Sequence, residues 1–428
     1  MKVCIVTDYL PGYHKLWSGA ELIAVTLGQM LRDSRCEVFF LTTPLDFPDA
    51  ADHAAIYPVR TPARRLGALA RNFPIDIWAF RDICRRLKQA RPDVVHINAK
   101  YLFLPTVRAC LRLKIPAVFT VPDYFIFCPT TFIRKPDGSN CTAYHGARCC
   151  DCLDILGNGP LKKLIRYIPK FVLRMLLALR ARQFNRLLPK LSAYITLTRI
   201  SRNRLIEYGI PAEKIRVIYH YKLAAPGQTN VKVNKPAAVF AGWLSEENGT
   251  DILIEAFART AKVVGRASLY LIGTGADWFT DKIKRRMADC GITNRVIFLG
   301  KKANPEVLSI ISQCDVVIVP HQWPKEFGPV ILLEALALGK PVVTSRIGAT
   351  EEFVEDGENG FLVTDYSKPD TFAEKLTVLL SDPDVAKKMG EKGGRSLAFL
   401  KDDSTAKEMI ELYQALIIRE AASGQNPA

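Results

Sequence analysis

No window of the 428-residue sequence reaches the ~18 uninterrupted apolar residues that a membrane-spanning helix needs. A secretory leader is not expected from the opening residues either. Met1-Lys-Val-Cys-Ile-Val-Thr runs into Asp8 before an apolar core of leader length accumulates, so the opening reads as a first β-strand. Strong compositional bias is also absent: 24% of residues are charged, 49% hydrophobic and 9% aromatic. This excludes long disorder, a collagen-like repeat and a multi-span membrane protein, and the length suits two or three domains with cores of their own. Together these absences predict a cytoplasmic chain whose thiols are reduced.

Acid is what the first half lacks. Residues 1–212 hold 32 Lys/Arg against 15 Asp/Glu, whereas residues 213–428 hold 27 against 28. The formal net charge of +16 therefore belongs to the first half. Within it, residues 155–206 carry twelve Lys/Arg and no Asp or Glu. There Leu161, Leu164, Ile165, Ile168, Val172, Met175, Leu176 and Leu179, continued by Phe184, Leu187, Leu188 and Leu191, keep a 3.6-residue stripe beside the like-charged ladder Lys162, Arg166, Lys170 and Arg174, with Pro169 kinking or dividing the segment. Two readings stand: a basic amphipathic helix resting on an anionic membrane surface, or a core-facing stripe with a solvated basic face. Nucleic acid is disfavoured, because no recognition motif for it appears.

Six of the eleven cysteines (Cys4, Cys36, Cys84, Cys110, Cys290 and Cys314) are isolated among apolar neighbours and read as core. The other five cluster. Cys128, Cys141, Cys149 and Cys152 are spaced C-x12-C-x7-C-x2-C, which suits a structural zinc held by four thiolates; a set of free thiols in an insertion is the alternative.

Short β-branched runs alternate with helical periodicity along the chain. Strands are predicted at 2–7, 37–42, 93–97, 116–121, 193–198, 215–219, 237–241, 267–272, 295–299, 315–320 and 341–345, and helices at 20–33, 251–263, 279–289, 304–313 and 329–338. Buried strands separated by helices imply α/β architecture with parallel sheets covered on both faces. Ala224-Ala-Pro-Gly-Gln-Thr-Asn and Asn234-Lys-Pro read as a linker. The predicted domains are 1–212, with a Cys-rich insertion at about 124–155 and a basic helix at about 160–190; 213–402; and a terminal helix at 403–428 packing back on the first domain. Ligands of such sheets bind beyond the carboxyl ends of the strands. Asp123 and His96 end strands of the first half, so Asp123 is a candidate contact for an acceptor hydroxyl or a turn cap, and His96 a cleft or a core residue.

In the second half, Glu326-Phe-Gly-Pro-Val-Ile-Leu-Leu-Glu334 places two carboxylates eight residues apart across a loop–helix junction. This block, with Ala335-Leu-Ala-Leu-Gly-Lys-Pro-Val, Gly348-Ala-Thr-Glu351, Asn359-Gly-Phe-Leu-Val363, Leu271-Ile-Gly-Thr-Gly275, Val296-Ile-Phe-Leu-Gly300 and Tyr413, resembles the retaining glycosyltransferases of family 4. Ser18-Gly-Ala-Glu21 and Asp93-Val-Val-His96 carry the likeness into the first half, and Asp123-Tyr124 with Cys128-Pro129 resembles a cysteine-bearing subset.

The resemblance implies the GT-B fold, two Rossmann-like parallel-sheet domains facing a cleft, with a nucleotide-diphosphate sugar on the second and a glycan or lipid-linked acceptor on the first. It implies that Glu326 is catalytic and, with the Phe327–Gly328 backbone, contacts the donor sugar. Glu334 would hold the ribose and Gly19 would admit the diphosphate. Transfer would proceed with retention, without a catalytic metal, in cell-surface polysaccharide synthesis. The chain departs from the family where Arg and Lys normally meet the diphosphate, since Trp243 and Asn248 stand at those donor-binding positions. Pro122 replaces a histidine, and Tyr219-His220-Tyr221 replaces an Asn-Gly. Lys325, Arg346, Lys222 and Arg199 are the candidate substitute cations. The alternative to an enzyme is a catalytically weakened relative that acts as a binding or assembly partner.

Overall fold

The computed structural model describes residues 1–15, 19–47, 55–61, 76–131, 133, 135, 141, 146–156, 168–219, 224–324, 326, 328–397 and 404–423. The chain forms two compact units. One comprises Met1–Leu197, Ser201–Tyr221 and Ser404–Ala428; the other comprises Thr198–Ile200 and Lys222–Asp403.

The first unit is built on a seven-stranded sheet of β1 (Lys2–Thr7), β2 (Glu37–Thr42), β3 (Ile56–Pro58), β4 (Val94–Asn98), β5 (Ala117–Thr120), β6 (Ala193–Thr196) and β7 (Ile215–Val217). Its order is β3-β2-β1-β4-β5-β6-β7 and every pairing is parallel. Crossovers are made by α1 (Gly19–Asp33), α2 (Ile77–Ala90), α3 (Phe103–Leu113), α4 (Lys170–Leu187) and α5 (Arg199–Glu207). Val3, Cys4, Ile5 and Val6 are all fully buried, as expected of a strand covered on both faces.

The second unit has a six-stranded parallel sheet of β8 (Ala237–Ala241), β9 (Ser268–Ile272), β10 (Val296–Gly300), β11 (Val316–Val319), β12 (Val342–Ser345) and β13 (Gly360–Val363), ordered β10-β9-β8-β11-β12-β13. Its helices are α6 (Thr250–Val263), α7 (Asp277–Asp289), α8 (Asn304–Gln313), α9 (Val330–Ala337), α10 (Pro369–Ser381) and α11 (Pro383–Ser396). Phe257, Phe279, Phe372 and Leu376 fill one core beneath them. The last helix, α12 (Ser404–Ser423), belongs to the first unit, where Met409, Tyr413 and Leu416 pack with Ile5, Leu27 and Leu31.

Several predicted boundaries move. β7 pairs with β6, so Ile215–Val217 completes the first sheet and does not open the second domain. The linker runs along the second unit: the Gly227 N–H donates to Pro305 O at 2.8 Å and the Asn234 N–H to Tyr270 Oη at 2.8 Å. The short edge strands β3 and β13 were not anticipated. Ile56-Tyr-Pro is three residues ending in a proline, and Gly360-Phe-Leu-Val carries no alternation.

The basic segment also differs. Helix α4 starts at Lys170, directly after Pro169, and Lys162 and Arg166 lie outside the described residues. Its buried face is Leu173, Leu177, Arg180, Ala181, Phe184 and Leu187; the predicted continuation through Phe184, Leu187, Leu188 and Leu191 is buried, whereas the earlier part of the stripe is not the buried face. Met175 and Leu179 of that stripe are exposed, together with Phe171. Apolar residues occur around most of this helix, so periodicity alone could not choose the face. Packing chose it: Phe184 stacks on Phe103 at 5.7 Å, and Cys150 packs against Leu173 and Leu177.

Candidate functional site

In both sheets the strand order reverses beside the first strand, between β1 and β4 in one and between β8 and β11 in the other. A crevice opens beyond the carboxyl ends of strands at such a point, because the flanking connections leave in opposite directions. The candidate residues gather at these two places.

In the second unit, the loops after β8 and β11 are knitted together. The Gln322 N–H donates to Glu247 O at 2.9 Å, and Gly249, at φ +68°, lies so close that a Cβ there would stand 1.9 Å from Pro320 O. Only glycine meets both demands. Gly328 also has a positive φ, +82°, between Thr198 and Phe353. Between these glycines sits Glu326, 9% exposed, with its backbone carbonyl accepting from the Thr198 hydroxyl. Burial pushes its carboxyl up to about 7. Glu334 projects from α9, 3% exposed, and its Oε1 accepts from Asn304 Nδ2 at 2.7 Å. A carboxylate in such surroundings is suited to accept hydrogen bonds from ligand hydroxyls. Phe327 lies outside the described residues.

Trp243 is 56% exposed on the same β8 loop. Asn248 does not reach outward with its amide: Nδ2 donates to Trp243 O at 2.7 Å and braces the loop. The cations nearby are engaged. Lys282 pairs with Glu246 at 2.5 Å, and Arg346 pairs with Glu351 and Asp356, each at 2.8 Å. Arg199 is exposed at the start of α5, and its backbone N–H donates to Glu352. Lys222 and Lys325 lie outside the described residues.

In the first unit, Gly19 opens α1 and is exposed, and the Asn98 amide at the end of β4 donates to Ala20 O at 2.6 Å. Asp8, one residue beyond β1, is buried and accepts the N–H groups of Lys100, Tyr101 and Leu102. Burial raises its carboxyl to about 6 even against these donors. Lys100 pairs with Asp123, whose Oδ1 also accepts from the Phe125 N–H at 2.9 Å and so caps the turn Tyr124–Ile126. Asp123 is therefore both cap and ion-pair partner. Sequence reading missed Asp8, Lys100 and Asn304; for Asp8 the usable signal was a carboxylate directly after the opening strand.

His96 is a correction. It is the third residue of β4, not its end, and it is fully buried. Its Nδ1 bonds Tyr413 Oη at 2.5 Å and its Nε2 bonds Thr120 Oγ1 at 2.7 Å, within the core under α12. Strand β4 continues to Asn98, and that residue, not His96, reaches the strand's carboxyl edge.

Cys128, Cys141, Cys149, Cys150 and Cys152 are all free thiols. Burial, helped by the neighbouring Cys128, Cys152 and Cys141, pushes the Cys149 thiol up to about 11. Among the described residues no group of three or more His, Cys, Asp or Glu is set to hold a metal ion. Nor is any described helix long and apolar enough to cross a membrane.

Two doubly wound sheets, each with polar groups at its reversal point, define the class of GT-B proteins. Residues 223–396 match the family model for glycosyl transferases group 1, and residues 17–220 match that for glycosyltransferase family 4. The chain belongs to the family-4-type glycosyltransferases of the GT-B fold. It is similar to the D-inositol 3-phosphate glycosyltransferase of Corynebacterium urealyticum, with 32% identity over 196 residues, 44% of this chain and 46% of the relative. It is also similar to the N-acetyl-alpha-D-glucosaminyl L-malate synthase of Bacillus anthracis, with 27% identity over 40% of this chain and 43% of the relative. The chain thus spans about half the length of the curated relatives it matches. Among solved structures, Anabaena HepE in complex with UDP and glucose shares the fold with a TM-score of 0.68 at 19% identity, over 97% of this chain and 99% of that one. Sucrose-phosphate synthase from Thermosynechococcus elongatus does so with a TM-score of 0.69 at 16% identity, over 98% and 99%.

Proposed function

We propose that the protein transfers a sugar from a nucleotide-diphosphate sugar to a hydroxyl of a glycan or lipid-linked acceptor, with retention, in cell-surface polysaccharide synthesis. The observation that carries this is the pair of buried carboxylates, Glu326 and Glu334, at the reversal point of the second sheet among glycine-tight loops. The names of the relatives and the UDP in the HepE structure support the nucleotide-sugar transfer in this reading. In this mechanism Glu334 accepts hydrogen bonds from the ribose and Glu326 from the donor sugar. The amides at the start of α6 face the diphosphate, where the helix dipole favours negative charge. Retention asks the protein mainly to hold the acceptor hydroxyl near the anomeric carbon and to stabilise the leaving diphosphate. Lys100 and Asp123 are the groups offered to the acceptor.

The membrane reading rests on α4. Phe171 (73% exposed), Met175 (54%) and Leu179 (41%) form an i, i+4, i+8 ridge on its outer side, with Arg174, Arg182 and Arg186 exposed beside it. An apolar ridge flanked by cations suits an anionic bilayer surface on the cytoplasmic side. For the four cysteines, zinc remains a proposal of their spacing and mutual proximity. One zinc per chain in metal analysis of purified protein supports it, and none contradicts it.

A second reading, a weakened relative that binds its partner without transfer, is favoured by Trp243 and Asn248 at the cation positions and by the engaged Lys282 and Arg346. The two are separated by assaying transfer and hydrolysis with UDP-, GDP-, ADP- and dTDP-sugars, using lipid-linked sugar and inositol phosphate as acceptors. Turnover that disappears in Glu326→Ala supports the enzyme. Nucleotide binding without turnover by the unaltered chain supports the partner.

A further inference from the structure

Glu334 is almost wholly buried, and a buried carboxylate is tolerated only when its oxygens are met by donors. One donor is known: Asn304 Nδ2 reaches Oε1 at 2.7 Å. Asn304 is the first residue of α8, three residues beyond the Lys301 that follows β10, so it comes from a different crossover than Glu334. A carboxylate only accepts, so the amide must turn its nitrogen toward Glu334, and its orientation is thereby settled.

From this geometry we infer that Asn304 is a positioning residue for recognition of the nucleotide ribose, acting through Glu334. The inference rests on Glu334 being the ribose-facing carboxylate of the proposed donor site. Its physical content is rotational. A vicinal diol is matched by a carboxylate held in one plane, and a hydrogen bond to Oε1 removes free rotation about the last side-chain bond before ligand arrives. The donor is also neutral. A lysine or arginine at 304 would pin the group equally well but would offset the charge that makes Glu334 a strong acceptor. An amide fixes the carboxylate and leaves its charge for the ribose hydroxyls.

The test is calorimetric titration of the full chain with UDP, GDP, ADP and CDP, followed by the 2′,3′-dideoxy form of whichever binds most tightly. Asn304→Ala is expected to weaken the ribonucleotide about tenfold, equivalent to ~1.4 kcal/mol, and the dideoxynucleotide less than about twofold. Glu334→Gln should show the same dependence on the hydroxyls, and the double variant should lose little beyond the Glu334→Gln single. Asn304→Asp, which places like charge beside Glu334, should weaken ribonucleotide binding further. If Asn304→Ala fails to fold by circular dichroism, Asn304→Ser takes its place, since serine suits a helix start yet is too short to bridge the gap. Equal losses for the ribo and dideoxy forms, or no loss with Asn304→Ala while Glu334→Gln shows one, overturn the inference and leave the donor-site reading standing. Absence of any nucleotide binding, or an unaffected Glu334→Gln, overturns that reading and the inference with it.

Discussion

The first unit sets Asp8 just beyond β1 and meets its carboxylate with three successive backbone N–H groups from 100–102. The second sets Glu326 in the loop after β11, flanked by glycines at positive φ and by a loop–loop contact that has no room for a Cβ. Both lie where strand order reverses, and burial raises both carboxyls, to about 6 and about 7. The units thus share a plan but differ in construction. One site is held by backbone N–H groups drawn onto a side-chain carboxylate; the other relies on tight backbone approach, with Gly249 against Pro320 O and the Thr198 hydroxyl donating to Glu326 O. Single side-chain changes should damage the first mainly through lost hydrogen bonds, and the second through steric exclusion and lost ligand contacts.

The largest effect expected is at Glu326. Glu326→Ala should lower transfer by about 10²–10³-fold, as removal of a single electrostatic contact at a reacting centre does elsewhere, read as kcat/KM with a nucleotide sugar. Next comes Gly249→Ala. Its Cβ would stand 1.9 Å from a backbone oxygen at a left-handed φ, so a stability loss of about 2–4 kcal/mol in denaturant melts is expected. A similar substitution at an exposed glycine without neighbours, Gly265→Ala, should change stability little.

The third prediction concerns pH and carries a definite sign. Glu326 and Asp8 have folded-state pKa values above their unfolded ones, so their contributions are fully present below about pH 4 and are lost as pH rises through about 6 and about 7. Stability should therefore fall between pH 5 and pH 8. Glu326→Gln should melt higher than the unaltered chain at pH 8, by about 1–3 kcal/mol, with the gap closing toward pH 4 while transfer is lost throughout. A gap that widens on acidification would contradict burial as the cause. The smallest effect is at the surface of the first unit. Neutralising Arg182 and Arg186 on α4 to Gln should weaken binding to phosphatidylserine vesicles at low salt by roughly 30-fold, following about 1 kcal/mol per cation. Unchanged binding would leave α4 with a merely solvated outer face.

What could be read in advance follows the same division. The second unit's site was legible because Glu326, Gly328 and Glu334 lie within nine residues, and glycines there answer local backbone demands. The first unit's site is assembled from Asp8, Asn98, Lys100 and Asp123, which become neighbours only once β1, β4 and β5 are paired in register. His96 shows what one residue of strand length decides: of its cleft and core readings the structure takes the core, where it bonds Tyr413, a residue more than three hundred positions away. Helix α4 failed differently, since an apolar surface extending around most of a helix carries no periodic signal for the buried side.

The account's central claim is that the nucleotide is held by the second unit's reversal point. Equilibrium titration of UDP, GDP and ADP against the unaltered chain, Glu334→Gln and Asp123→Asn tests it most directly. The account predicts that Glu334→Gln weakens the tightest-binding nucleotide at least tenfold, whereas Asp123→Asn changes it less than about twofold. Loss of binding in Asp123→Asn with full binding retained in Glu334→Gln would contradict it.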